Sequence, residues 1–223
     1  MPRLSTKIHP TADSRLKSQL ESGLAGLDIA FNNEQIDQLS CYLELLQKWN
    51  RAYNLTAITR MEKMVAYHVL DSLAILSEFP AQGHYLDVGT GAGLPGLPLA
   101  IMLPLSNWVL LDSNGKKTRF VQQAVASCAL ANVKVVQSRI QDYDAGSSFD
   151  VIVSRAYSSV QDFVSSVTSL WQPGTRLITM KTELSDAELA SLDPQLYRLH
   201  VSPLRVPGIA QKRSLVTIQR QEL

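Results

Sequence analysis

Two carboxylates and a run of glycines are the groups in this chain best placed to do chemistry. In Tyr85-Leu-Asp-Val-Gly-Thr-Gly-Ala-Gly-Leu-Pro-Gly96, the residues Gly89, Gly91, Gly93 and Gly96 follow a short apolar stretch, and Leu97 to Met102 is apolar enough to open a packed helix. Strand, glycine turn and helix start together make a loop in which positive φ and close backbone approach to a ligand are both allowed, because no Cβ intervenes. Backbone N–H groups at the helix start are expected to face outward toward a polar or anionic group. Asp112 stands 23 residues after Gly89, directly behind the apolar run Trp108 to Leu111. A carboxylate there can meet the ribose hydroxyls of an adenosine-type ligand. Asp87 is a second acid, one that a plain dinucleotide loop does not require. The glycines alone would also fit a turn that binds nothing, and it is the two acids that raise the pattern above that reading.

Cations stand at the ends of the apolar stretches that follow. Arg139 comes after Val135 to Ser138, Arg155 after Val151 to Ser154, and Lys181 after Leu177 to Met180. Open parallel sheets bind ligands beyond the carboxyl ends of their strands, so these three are expected to converge on one rim, although each alone would also suit a salt bridge. Lys116, Lys117 and Arg119 occupy the first turn of a helix that Asn114 can cap. There they oppose the helix dipole by roughly 0.3–1 kcal/mol apiece, which phosphate recognition would offset. In Lys48-Trp-Asn-Arg-Ala-Tyr-Asn-Leu-Thr-Ala57, cations, aromatics and Asn54 are crowded together. Such a mixture can hold a nucleic-acid backbone and stack a base, or simply close a helix with packed rings and solvated charges.

These groups need a frame, and the apolar spacing supplies one. Leu16, Leu20, Leu24 and Leu27 recur at helical intervals over 14–27. Asn32 followed by Gln35 reads as a capping box for a second helix, with Ile36, Leu39, Leu43 and Leu46 on one face. A third helix is expected over 60–79, where His68 and Asp71 share a face and suit a hydrogen-bonded pair. Pro80 to Gly83 breaks it, dividing a helical region over 1–82 from a main domain over 83–223. Beyond that point strands at 84–88, 106–111, 133–137, 149–153 and 175–180 alternate with helices at 95–103, 114–130, 160–171 and 184–191. Alternation of this kind predicts an α/β fold, a mostly parallel sheet with helices on both faces. Segments 195–206 and 213–220 around Pro207-Gly208 predict a closing antiparallel hairpin.

Composition excludes several classes. No apolar run approaches membrane-span length, and the polar start over 1–13 is expected to fray and does not look like a secretory signal. The cytoplasm is the expected compartment. Cys41 and Cys128 are isolated in sequence and sit on apolar helical faces, so reduced packing thiols are expected, and the scattered His9, His68, His84 and His200 suggest no metal. A net charge of +1 does not announce a nucleic-acid binder, so that reading rests on local clusters.

With these residues in view, the chain resembles the bacterial small-subunit ribosomal RNA methyltransferase G family, also called glucose-inhibited division protein B. The resemblance runs from about Leu27 to Ile218 and rests on Lys48 to Thr56, His68-Val-Leu-Asp-Ser72, Asp87 to Gly96, Leu111-Asp-Ser113, Gln137-Ser-Arg139 and Ser154-Arg-Ala156. It implies a class I, S-adenosylmethionine-dependent enzyme with a Rossmann-like sheet and an antiparallel last strand, acting on N7 of the guanosine numbered 527 in 16S rRNA. It further implies that Gly89 and Leu94 line the methionine end of the cofactor and Asp112 its ribose, and that Ile140 and Gln141 flank its adenine; Asp87, Gly91 and Gly93 are expected to bind the cofactor as well. Arg155 would sit between cofactor and base, and Arg139, Arg155 and Lys181 are the expected catalytic residues, positioning the target guanosine and its adjacent phosphates. Asn54, His68, Lys116, Lys117, Arg119 and Arg213 are the expected contacts to 16S rRNA or the small ribosomal subunit, and a monomer is expected. Gln141, Thr182 and Lys212 depart from the usual family residues. A nicotinamide-dependent oxidoreductase and a non-enzymatic rRNA-binding assembly protein are the competing readings of the same loop and rim.

Overall fold

The computed structural model describes residues 14–157 and 159–221, so the reading of 1–13 as a frayed end lies outside the described residues. Helix α1 (Ser14–Ala25) buries Leu16, Leu20 and Leu24 along one stripe. Before α2 (Asn33–Tyr53) the capping box forms as expected: Asn32 Oδ1 accepts from the Gln35 N–H and Gln35 Oε1 accepts from the Asn32 N–H, each at 2.9 Å. The helix ends where Asn54 turns left-handed at φ 50° and donates its N–H back to the Asn50 carbonyl.

The expected single helix over 60–79 is interrupted. It consists of α3 (Met61–Met64), a π segment (Val65–Leu70), α4 (Asp71–Leu73) and a 3-10 turn (Leu76–Glu78). A π turn is wider than an α turn, so side chains three apart no longer stack as the α spacing predicts. That difference redirects His68 and Asp71, as shown below.

The sheet has seven strands in the order β3-β2-β1-β4-β5-β7-β6, formed by β1 (His84–Val88), β2 (Asn107–Asp112), β3 (Val133–Gln137), β4 (Val151–Ser154), β5 (Arg176–Lys181), β6 (Tyr197–Leu204) and β7 (Arg213–Arg220). The first five run parallel, and β7 pairs antiparallel with both β5 and β6, which confirms the closing hairpin. Strand alternation divides the core into two. Tyr85, Trp108, Leu110, Val151, Val153, Ile178 and Met180 join α1, α2, the π segment, α5 (Gly96–Met102) and α6 (Gly115–Ser127) in one cluster. Leu86, Val88, Val109, Leu111, Ile152 and Leu177 face Val160, Phe163 and Val167 of α7 (Val160–Val167) in the other. Period-two alternation in strands buried on both sides accounts for this assignment. Removing the cap with Asn32→Ala is expected to cost about 1 kcal/mol in urea unfolding, since the Gln35 N–H loses its acceptor.

Candidate active site

The glycine turn is held down by carboxylates. Gly89, Gly91 and Gly93 adopt φ of 70°, 60° and 86°, and a Cβ on Gly89 would stand 2.7 Å from that of Ala156, so conformation and space both demand glycine there. The Gly89 and Thr90 N–H groups donate to the Leu111 carbonyl at 2.8 and 3.0 Å, clamping the turn to the end of β2. Asp112 then accepts from the Gly91 N–H through Oδ2 and from the Asn114 N–H through Oδ1, both at 2.8 Å. Each oxygen retains a lone pair, enough to accept hydroxyl donors as well. Asn114 caps α6 as expected, accepting from the Lys116 and Lys117 N–H groups.

Asp87 lies fully buried beneath the turn, where Oδ2 accepts from Thr90 Oγ1 (2.7 Å) and from the Gly96 N–H (2.9 Å) and Oδ1 has no protein partner. The expectation of outward-facing N–H groups at the helix start is therefore corrected. Gly96 donates to Asp87, Gly93 and Leu94 donate to the Thr90 carbonyl, and Leu97 donates to the Gly93 carbonyl. A loop in which these amides are already bonded, and in which Gly91 and Gly96 both donate to acids, has little to offer a pyrophosphate.

Burial pushes the Asp87 carboxyl up to about 7, against the Thr90 and Gly96 hydrogen bonds and the Arg155 charge, which favour its ionised form. His68 is also buried; desolvation first and the Arg155 charge second hold its imidazole down to about 4. The two act on stability with opposite sign. Between about pH 4 and 7 native Asp87 keeps a proton that the unfolded chain releases, so its contribution falls as pH rises. Between about 6.5 and 4 the unfolded chain takes up a proton that native His68 refuses, so that contribution falls as pH drops. Relative to the parent protein, Asp87→Asn is expected to gain stability progressively from pH 4 to 7 and then level off, as measured by denaturant midpoints across that range.

A crevice of about 290 Å³ opens beside the turn, lined by Gly89, Asp112, Ser113, Arg139, Ile140, Gln141, Ala156 and Tyr157 among others. Gly89, Asp112, Arg139, Ile140 and Gln141 thus meet in one place. Ile140 is buried and gives an apolar wall, while Arg139 and Gln141 are exposed at the mouth. Gly91 touches the site through its bond to Asp112, whereas Gly93 and Leu94 lie inward, with Leu94 in the hydrophobic cluster. Ala156 and Tyr157 were not singled out from sequence, although both directly follow Arg155 at the end of β4 and the strand-end rule covers them.

The other strand-end cations are spoken for, and the structure does not gather three free charges on one rim. Arg155 continues the alternation of Val151 and Val153, facing the helical N-terminal region, where its guanidinium meets Asp71 (3.4 Å) and Ser72 Oγ (3.1 Å). Lys181 follows the opposite alternation and lies on the α7 side of the sheet. Its buried ammonium pairs with Glu188 at 2.9 Å and donates to the Tyr157 carbonyl at 3.1 Å. Arg213 likewise donates to Asp71, at 3.0 Å. Lys117 stands 4.0 Å from Asp112 and Arg119 donates to the Gly115 carbonyl, while Lys116 is exposed. Among the described residues Arg139 has no carboxylate within ion-pairing distance, so it is a strand-end cation still open to an anion.

The expected His68–Asp71 bond is not made. His68 Nε2 lies 3.0 Å from Thr56 Oγ1, and its Nδ1 is buried without a hydrogen-bond partner. Asp71, six per cent exposed, bridges Arg155 and Arg213 instead, joining the helical region to β4 and β7. Asn54 remains exposed at the end of α2, lining a separate cavity with Gln47, Asn50 and Arg51. Asp71→Asn would leave two part-buried guanidinium groups short of their counter-charge, and an unfolding loss of roughly 3 kcal/mol is expected by urea titration.

A mostly parallel seven-stranded sheet with an antiparallel β7, a glycine turn after β1 and an acid at the end of β2 is the fold of the class I methyltransferases. Solved structures agree on the fold. The precorrin-6y C5,15-methyltransferase of Geobacter metallireducens matches with a TM-score of 0.54 at 14% identity, covering 76% of this chain and 92% of that one. A predicted O-methyltransferase of Agrobacterium tumefaciens matches at 0.55 and 16% identity, over 70% and 81%. Residues 35–216 match the family of rRNA small subunit methyltransferase G. The ribosomal RNA small subunit methyltransferase G of Pseudomonas paraeruginosa is 45% identical over 203 residues, 91% of this chain and 94% of that protein. Its counterpart in Photobacterium profundum is 38% identical over 91% and 98%. The chain therefore belongs to the rRNA small subunit methyltransferase G family, and it is an enzyme of the methyltransferase class. Membership in this family, together with the occupied loop amides, sets aside the nicotinamide-dependent reading.

Proposed function

We propose that this chain methylates N7 of the guanosine numbered 527 in 16S rRNA, with the crevice between Asp112 and Ile140 holding S-adenosylmethionine. The observation that carries this reading is the state of Asp87 and Asp112. Asp87 occupies the amide that a dinucleotide phosphate would use, and Asp112 keeps acceptor capacity facing the crevice beside an apolar wall. That combination suits a ligand with a ribose and an adenine but no phosphate. When bound, the cofactor supplies an electrophilic sulfonium methyl.

On this reading Asp112 accepts the ribose hydroxyls and Ile140 flanks the adenine, with Gln141 offering its amide at the edge. Asp87 holds Thr90 and Gly96 and so shapes the floor of the turn. Guanine N7 carries a lone pair already, so no residue has to remove a proton before attack, and the protein's task is orientation and the exclusion of water. Arg139, exposed at the mouth, meets phosphate or guanine O6, since N7 must stay free. Arg155 is set beside the turn by Asp71 and Ser72 and positions the base, while Lys181 supports the site through Tyr157, another lining residue. Lys116, exposed in the first turn of α6, and Asn54 at the end of α2 provide further contacts to rRNA, with His68 behind Thr56 as a lesser one.

Incubation with S-adenosylmethionine carrying a labelled methyl and with small-subunit rRNA, free or within the subunit, is expected to label one guanosine, located by mapping the modified nucleotide. Asp112→Ala should weaken cofactor binding about 10- to 100-fold by calorimetric titration. Arg139→Ala should leave that affinity unchanged and lower methyl transfer to rRNA by about tenfold or more. Label on a different nucleotide, or on none, contradicts the proposal.

A further inference from the structure

Cys41 and Cys128 lie far apart in sequence and yet meet in space. Cys41 is on α2, and Cys128 directly follows the last residue of α6. The two helices are locked together by ring contacts, Phe120 of α6 standing 5.7 Å from Trp49 and 6.3 Å from Tyr42 between centroids. Gln38, one turn before Cys41 on the same helix, adds a polar clasp. Its Nε2 donates to the Cys128 carbonyl at 3.2 Å, and the Cys128 thiol lies 3.5 Å from the Gln38 carbonyl oxygen. This places the Cys128 thiol against the turn of α2 that carries Cys41. Both cysteines are free thiols; Cys41 is partly exposed and Cys128 is buried.

We propose that Cys41 and Cys128 form a reversible oxidation site, in which Cys41 reacts with a hydroperoxide and Cys128 closes a disulfide between α2 and α6. The neighbouring Cys128 thiol brings the Cys41 thiol down to about 7, against burial and the nearby Glu44 carboxylate, while the Cys128 thiol is raised by its neighbour Cys41 and by burial. Cys41 is thus the more readily ionised of the two thiols, and thiolate character with partial exposure is what peroxide reactivity requires.

In the first step the Cys41 thiolate attacks one peroxide oxygen. The O–O bond breaks, Cys41 becomes a sulfenic acid, and the other oxygen leaves as water or an alcohol after taking up a proton. In the second step the Cys128 sulfur, giving up its proton, attacks the Cys41 sulfur and releases the sulfenic oxygen as water. Two thiols and one hydroperoxide give a disulfide, one water and one further water or alcohol. A dithiol restores both cysteines. The bond would close a loop holding β1, the glycine turn, β2 and α6. Cross-linking so long a loop restricts the unfolded chain, and Tm should rise by roughly 5 °C or more.

The full chain, treated with hydrogen peroxide at neutral pH, should lose two hydrogens by intact mass. It should yield one peptide pair linking Cys41 to Cys128, and return to its starting mass with dithiothreitol. Cys128→Ser should stop at a sulfenic acid on Cys41, captured by dimedone, with circular dichroism confirming its fold. Cys41→Ser should show no oxidation at Cys128. If the parent chain keeps both thiols, or forms only disulfides between molecules, the proposal fails.

Discussion

Asp112 is the residue on which the site most depends. Its two oxygens accept from backbone N–H groups of two separate segments, Gly91 in the turn after β1 and Asn114 at the start of α6. Hydrogen bonds to an ionised carboxylate are among the stronger ones available to a protein, and this pair fixes two segments against the end of β2 at once. The same group remains able to accept from a ligand. On the proposed reading, structural restraint and ligand recognition fall on one side chain, and the geometry of the turn cannot drift without changing what the crevice accepts.

A second carboxylate works at a different depth. Asp87 stabilises the underside of the turn and occupies the Gly96 amide, and burial raises its proton affinity. A third, Asp71, unites Arg155 and Arg213 and so ties the helical region to the sheet. The hydrophobic cluster that runs from α1 and α2 into Tyr85, Trp108 and Leu110 makes the same connection in apolar form. Helices and sheet meet across a continuous interior with a charged seam at the edge nearest the site.

Much of this was readable in the sequence. Strands β1 and β3 have the expected bounds, β2, β4 and β5 fall within one or two residues of them, and the Asn32–Gln35 cap forms between the named groups. Those features depend on local alternation and short-range bonding, which a sequence displays directly. The loop, Asp112 and Arg139 also line the crevice, because strand ends identify where it must lie, whereas Ile140 and Gln141 were expected there from the family resemblance alone. What was not readable depends on geometry between distant segments. Nothing local announces the π segment that separates His68 from Asp71, nor the glutamate that Lys181 meets on the far face. Strand parity could have separated Lys181 from Arg155, but only with the bounds of β4 and β5 fixed to the residue. The meeting of Cys41 with Cys128 required the packing of α2 on α6, which no spacing encodes.

The account turns on where a methyl donor rests, and a crystal structure of the chain soaked with S-adenosylhomocysteine tests that most directly. The account predicts ribose hydroxyls on the Asp112 carboxylate and adenine against Ile140. Density for the ligand elsewhere, for instance in the cavity of Gln47, Asn50 and Arg51, with the Asp112 crevice empty, would contradict it.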